Sequence, residues 1–118
     1  MLLKVVSQDG GVLRMELQGR ICQQELAEVG DPFVALLGED AYTWKLLLGL
    51  DRAESIDSLG VAWLLKCHKR FREDGGVMVL HSVPPTILHV IKILQLNKVF
   101  NLAESLAAAH TVATGASA

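Results

Sequence analysis

The chain has 118 residues, of which 51% are hydrophobic and 20% charged, and its formal net charge is −2. That profile fits one folded domain, expected over residues 1–114, and excludes a disordered chain. It holds no basic excess to neutralise phosphates, so nucleic acid is not an expected partner. Cys22 and Cys67 are the two thiols. They sit far apart and in no CxxC pattern, so neither a zinc site nor a disulfide framework is indicated, and a reduced, cytoplasmic setting is expected. The opening Met1-Leu2-Leu3-Lys4-Val5-Val6 resembles the start of a secretory signal, but it breaks at Ser7-Gln8-Asp9-Gly10 with no small-residue cleavage site behind it. No run approaches the ~20 apolar residues of a membrane span, so no membrane role is expected.

Residues 3–7 are apolar, with β-branched Val5 and Val6, and Asp9-Gly10-Gly11 follows as a turn signal. Residues 12–17 then alternate, with Leu13, Met15 and Leu17 against Val12, Arg14 and Glu16. The two segments predict an N-terminal hairpin. Residues 23–37 predict a weakly patterned helix with Leu26, Val29, Phe33, Leu36 and Leu37 on one stripe. Gly30-Asp31-Pro32 interrupts it, and a restart is expected at Pro32, because proline suits a first helical turn.

Residues 45–50 form an unbroken apolar run, which predicts a strand buried on both faces in the sheet interior. A second helix is expected from Ser58 to about Asp74, stopped by Gly75-Gly76. Residues 77–80 predict another continuous strand, parallel and adjacent to 46–50 through a right-handed crossover. Pro84-Pro85 opens a third helix with Ile87, Val90, Ile91 and Leu94 at helical spacing. Residues 99–102 predict a short edge strand, 104–111 an alanine-rich helix, and 115–118 a frayed end. Strand, helix, strand, helix, strand is the pattern of parallel β-α-β units, and the leading hairpin makes the sheet mixed.

Catalytic signatures do not emerge. The sequence contains no GxGxxG, no GxxxxGK[ST] and no GxSxG. His68, His81, His89 and His110 share no metal-ligand spacing, and His68 is expected as a satisfied core or boundary histidine. Glu25, Glu28, Asp31, Glu39 and Asp40 are scattered like solvated charges. No catalytic residue, metal or cofactor is expected, and the chain is not expected to be an enzyme.

A series of elements between residues 46 and 100 nevertheless has a recognisable order. The strand Leu46-Leu47-Leu48-Gly49-Leu50-Asp51 precedes Ser55-Ile56-Asp57-Ser58-Leu59-Gly60-Val61-Ala62. A helix with a basic second half follows, from Lys66 to Arg72, then Gly75-Gly76-Val77-Met78-Val79-Leu80, Ser82-Val83-Pro84-Pro85 and Leu96-Asn97-Lys98-Val99-Phe100. This series resembles the STAS family, the anti-sigma-factor antagonists and their relatives, whose signature is Asp-Ser-Ser-Gly-Leu-Gly. The resemblance implies an α/β fold: a mixed four- to five-stranded sheet with an N-terminal hairpin and helices packed mainly on one side. It also implies a role. Simple members bind an anti-sigma-factor kinase, which switches them off by phosphorylating a serine or threonine at the start of the second helix.

Laid on that signature without gaps, Asp57 matches the aspartate, Ser58 the first serine and Gly60 the glycine, so the phosphoacceptor position falls on Leu59. Leucine has no hydroxyl. Ser58 is the nearest one, and a helix N-cap is the reading preferred for it over a phosphosite, with Asp57 as the other candidate cap. Leu59, Trp63, Lys66 and Arg70 share one helical stripe, while Val61, Leu64, His68 and Phe71 mark the core face. Trp63 reads either as an interface anchor or as packing against a neighbouring helix. The expected partner-binding residues are Asp57, Ser58, Leu59, Ala62, Trp63 and Lys66. The expected partner is an anti-sigma-factor or serine-kinase-like protein, or another signalling protein. The competing readings are an assembly module that forms a homodimer or docks on a larger complex, and a nucleotide binder, against which the missing phosphate loop weighs.

Overall fold

The computed structural model describes residues 1–22, 24–25 and 31–115. Strands β1 (Leu2–Asp9) and β2 (Val12–Ile21) form the expected hairpin, antiparallel, with Lys4 opposite Glu16 and Asp9 opposite Val12. Gly10 and Gly11 make its two-residue turn with φ of 57° and 80°, a pair of left-handed conformations that side chains with a Cβ resist. The alternation along β2 works as expected, since Leu13, Met15 and Leu17 are buried and Arg14 faces solvent.

Gln24 and Glu25 are helical. The rest of the expected first helix before Asp31, including Leu26, Glu28, Val29 and Gly30, lies outside the described residues. The restart at Pro32 is observed as α1 (Pro32–Leu37), capped by Asp31, whose carboxylate accepts the backbone N–H groups of Phe33 and Val34 at 3.1 Å each. Phe33 is buried but Leu36 is 50% exposed, so the stripe expected through Leu36 fails at that residue. Leu37, four residues after Phe33, packs against the core instead.

Strand β3 (Lys45–Gly49) runs parallel to β2 on one side and to β5 (Val77–His81) on the other, with Leu46 opposite Met78 and Leu48 opposite Leu80. Its continuous apolar run is explained by two separate packings. Leu46 and Leu48 join the larger core, whereas Leu47 and Val79 join Ala109 and Ala113 on the opposite face. The strand order is β1-β2-β3-β5-β6, and β4 (Ala53–Ile56) pairs with the far end of β2. The sheet therefore has six strands rather than four or five. β4 escaped the sequence reading because it is four residues long and its Glu54 and Ser55 are exposed, which leaves no apolar pattern.

Helix α2 (Ser58–Glu73) buries Val61, Leu64, His68 and Phe71, the expected core face. Helix α3 (Pro85–Ile93) buries Ile87 and Ile91. Leu94, expected on that stripe, is 49% exposed, because the helix stops one residue before it. A 3-10 turn over Leu96–Lys98 displaces the edge strand from 99–102 to β6 (Asn101–Ala103). Helix α4 (Leu106–Thr114) starts later than the expected 104, at a cap where Ser105 Oγ accepts the N–H of Ala108. Residues 116–118 of the expected frayed end lie outside the described residues. Among the described residues, α1, α2 and α3 contribute to the larger core and α4 covers the other face.

Candidate functional site

The start of α2 is pinned to the end of β2 by backbone groups. β4 runs beside β2, with Ile56 opposite Ile21, and delivers the chain to Asp57, whose N–H donates to the Ile21 carbonyl at 3.2 Å. The Asp57 carboxylate caps the helix by accepting the N–H of Gly60 at 2.7 Å. Gly60 sits directly on the end of β2, where an added Cβ would lie 2.1 Å from the Ile21 carbonyl oxygen. Only glycine fits so close an approach.

Asp57, and not Ser58, is therefore the cap. Ser58 is the first residue inside the helix, where its side chain is no longer aimed at the first turn's free N–H groups. It is exposed, and no hydrogen bond of its hydroxyl is found among the described residues.

The six expected partner-binding residues lie on one outward stretch of this helix. Asp57, Ser58, Leu59, Ala62 and Lys66 are exposed and Trp63 is half-buried. Leu59, Ala62, Trp63 and Lys66 follow at three, four and seven residues, so they share a face. Leu59 is 47% exposed, and other large apolar side chains such as Leu36 and Ile93 are exposed to a similar or greater degree.

Of the two readings of Trp63, the structure shows packing against a neighbouring helix. Its ring stacks on buried Phe33, with centroids 6.0 Å apart and planes 13° apart, and its remaining surface lines a pocket. The same cluster continues inward through Tyr42 and Phe71, which meet edge-on at 4.9 Å. The pocket, of about 210 Å³, is further lined by Asp31, Tyr42, Lys66, Cys67 and Arg70.

Asp31 was expected among the solvated charges, and the structure corrects this. Its carboxylate caps α1, accepts the Tyr42 hydroxyl at 2.8–2.9 Å, and has Arg70 Nη1 3.6 Å away. The Arg70 guanidinium also lies 4.4 Å above the Tyr42 ring. Burial first, and then the hydrogen bond to Asp31, push the Tyr42 hydroxyl pKa upward. Burial likewise pushes the Cys67 thiol up to about 12, which leaves it protonated and unsuited to nucleophilic chemistry. The Asp31-Pro32 pair is a legible helix start, but Tyr42 stands eleven residues away and its contact with Asp31 is tertiary.

His68 is buried as expected, edge-on to Phe100 with centroids 5.7 Å apart, and among the described residues its Nδ1 has no hydrogen-bond partner. Burial, assisted by Arg72, lowers its pKa below the ordinary value. Among the described residues no group of three or more His, Cys, Asp or Glu is arranged to hold a metal, and no helix is long and apolar enough to cross a membrane.

A family model described as STAS domain matches residues 4–109. Solved structures give the same picture. A candidate anti-sigma factor antagonist from Thermotoga maritima superposes with a TM-score of 0.75 at 19% identity, covering 96% of this chain and 93% of that one. An anti-sigma-factor antagonist (STAS) domain protein from Planctomyces limnophilus gives 0.74 at 20% identity, with 95% and 97% covered. The anti-sigma factor antagonist SpoIIAA in its unphosphorylated form gives 0.68 at 13% identity, with 98% and 100% covered. At these identities the structural likeness concerns the fold. A search of curated proteins found no match.

Proposed function

The chain belongs to the STAS domain family, and from that premise we propose that it is a protein-binding signalling module of the anti-sigma-factor-antagonist kind. Its partner is a kinase-like or sensor protein, engaged through Leu59, Ala62, Trp63 and Lys66 with Asp57 and Ser58 at the margin. The observation that carries this reading is Leu59, an apolar side chain 47% exposed on a turn whose backbone is fixed against β2. What supports the reading is that Leu59 shares one helix face with half-buried Trp63, and an apolar side chain beside a tryptophan is the kind of pair that anchors interfaces.

The ungapped signature places Leu59 at the family's phosphoacceptor position. Phosphate there would add about −1.5 to −2 charges. A leucine keeps the position neutral and closed to modification, so the domain is held in one binding state. Control then falls to its abundance or to modification of the partner.

The test is capture from native lysate with the parent and with Leu59→Asp, followed by mass spectrometry of what is retained. The expected result is a signalling protein of kinase or sensor type, retained by the parent and lost by the variant. Equal retention by both would refute this surface.

A further inference from the structure

The C-terminal ends of the parallel strands β5 and β6 open onto a second pocket of about 450 Å³. That volume lies in the range of small-molecule sites, ~300–1,000 Å³. Ligands of open α/β sheets gather at the carboxyl ends of their strands. Val83, Leu88 and Leu102 supply its apolar walls.

Four polar side chains line it: Ser82, Lys92, Asn97 and Glu104. Ser82, the first residue after β5, holds φ at 54°, a left-handed conformation that a residue with a Cβ seldom adopts. Its Oγ is fixed by a 3.0 Å hydrogen bond to Nδ1 of buried His81, and strained, over-determined residues of this kind cluster at ligand clamps. Lys92 from α3 and Glu104 after β6 line the same pocket with opposite charges. Among the described residues neither is joined in a salt bridge, to the other or to a third group.

We infer that this pocket binds a small zwitterion with an apolar body, of the amino-acid class. Its carboxylate meets Lys92, its ammonium meets Glu104, and its side chain lies on Val83, Leu88 and Leu102. A simple carboxylic acid would leave Glu104 facing like charge, and a simple amine would do the same to Lys92. A molecule carrying both charges on one carbon matches both. The inference does not depend on the Leu59 surface, and either can fail without the other.

The test is an amide NMR titration of the full chain with L-leucine and L-phenylalanine. Saturable shifts are expected at Ser82, Val83, Leu102 and Ala103. N-acetyl-L-leucine, which lacks the ammonium, and L-leucinamide, which lacks the carboxylate, are each expected to bind at least about tenfold more weakly, a difference of about 1.4 kcal/mol. Both charged side chains are exposed, so Lys92→Gln and Glu104→Gln keep the fold. Lys92→Gln should erase the preference for leucine over leucinamide, and Glu104→Gln that over the N-acetyl derivative. Three results would overturn the inference: no shift at these residues at millimolar amino acid, equal binding of 3-methyl-1-butanol, or preferences unchanged in both variants.

Discussion

The two halves of α2 are held by different means. The first turn is held to β2 chiefly through backbone groups: the Asp57 N–H donates to the Ile21 carbonyl, and Gly60 presses on that carbonyl without a Cβ between them. The middle is held by side chains, with Trp63 on Phe33, Phe71 against Phe33 and Tyr42, and Arg70 over Tyr42. The difference matters for recognition. Where backbone groups do the anchoring, the outward side chains of the turn are not needed for packing: Val61 points into the core while Ser58 and Leu59 stay exposed. Where side chains do the anchoring, as at Trp63, any contact with a partner is coupled to stability. Substitutions should therefore fall into separate classes along one helix.

The largest effect is expected at the backbone anchor. Gly60→Ala drives a methyl group into the Ile21 carbonyl, a backbone atom that has no rotamer to escape with. Overpacking of side chains costs ~1–3 kcal/mol, and a backbone clash belongs at or above the top of that range. Urea denaturation should show a loss of about 3 kcal/mol or more. A loss under about 1 kcal/mol would mean that the first turn is free to lift off β2, and the comparison drawn above would collapse.

Trp63→Ala comes next. A fully buried aromatic truncation costs ~3–5 kcal/mol. Trp63 is half-buried, so about 2 kcal/mol is expected, with the native fold retained by circular dichroism. Partner affinity should fall at least about tenfold, as for an aromatic interface anchor. Full stability in the variant would show that the stack on Phe33 contributes nothing, and unchanged affinity would move the interface elsewhere.

Two buried histidines make stability depend on pH. His68 lies on the core face of the second half of α2, and His81 ends β5; both have pKa values lowered chiefly by burial, with Asp51 and Glu16 opposing the shift at His81 and Arg14 assisting it. Each stays neutral in the fold over a range in which the unfolded chain takes up a proton. Their contribution to stability is thus complete above about pH 6.5, the ordinary histidine value, and is lost as the pH falls from there towards the folded values. Denaturation at pH 7.5 and 5.5 should show lower stability at 5.5, and His68→Leu should flatten part of that slope. A stability that rises on acidification would contradict the burial of both rings.

Much of the fold was legible because it is periodic. The alternation at residues 12–17 announced β2, the runs at 46–50 and 77–80 announced two central parallel strands, and one stripe of α2 announced Val61, Leu64, His68 and Phe71 as core. What stayed hidden lacked period or was not local. β4 has two exposed residues out of four and no apolar rhythm. Asp31 looked like any surface carboxylate until Tyr42 was folded onto it. The outward face of α2 was readable from spacing, but the packing of Trp63 was not, because its partner Phe33 lies thirty residues away in sequence and the stack is tertiary. The cap was ambiguous for a plainer reason: Asp57 and Ser58 are both good capping residues, and a one-residue difference in the helix start decides between them.

That last ambiguity yields the smallest expected effect and a sharp one. If Asp57 is the cap, Asp57→Ala should cost about 1 kcal/mol, the usual loss for a helix deprived of its capping side chain. Ser58→Ala should then change stability by no more than about 0.5 kcal/mol, as for an exposed side chain away from any special feature. The sign follows from geometry: the Gly60 N–H donates to Asp57 Oδ1 at 2.7 Å, and the Ser58 hydroxyl takes no part in the turn. The reverse ranking would place the helix start one residue later and shift the outward face with it. The same pair of variants bears on modification. With Leu59 unable to accept phosphate, incubation with a captured kinase and ATP should leave the protein unlabelled, or label it slowly at Ser58 alone. Any such label should disappear in Ser58→Ala and persist in Asp57→Ala. Rapid stoichiometric labelling of the parent that survives Ser58→Ala would mean that the hydroxyl acted on lies outside this turn, and that Leu59 does not occupy the switch position.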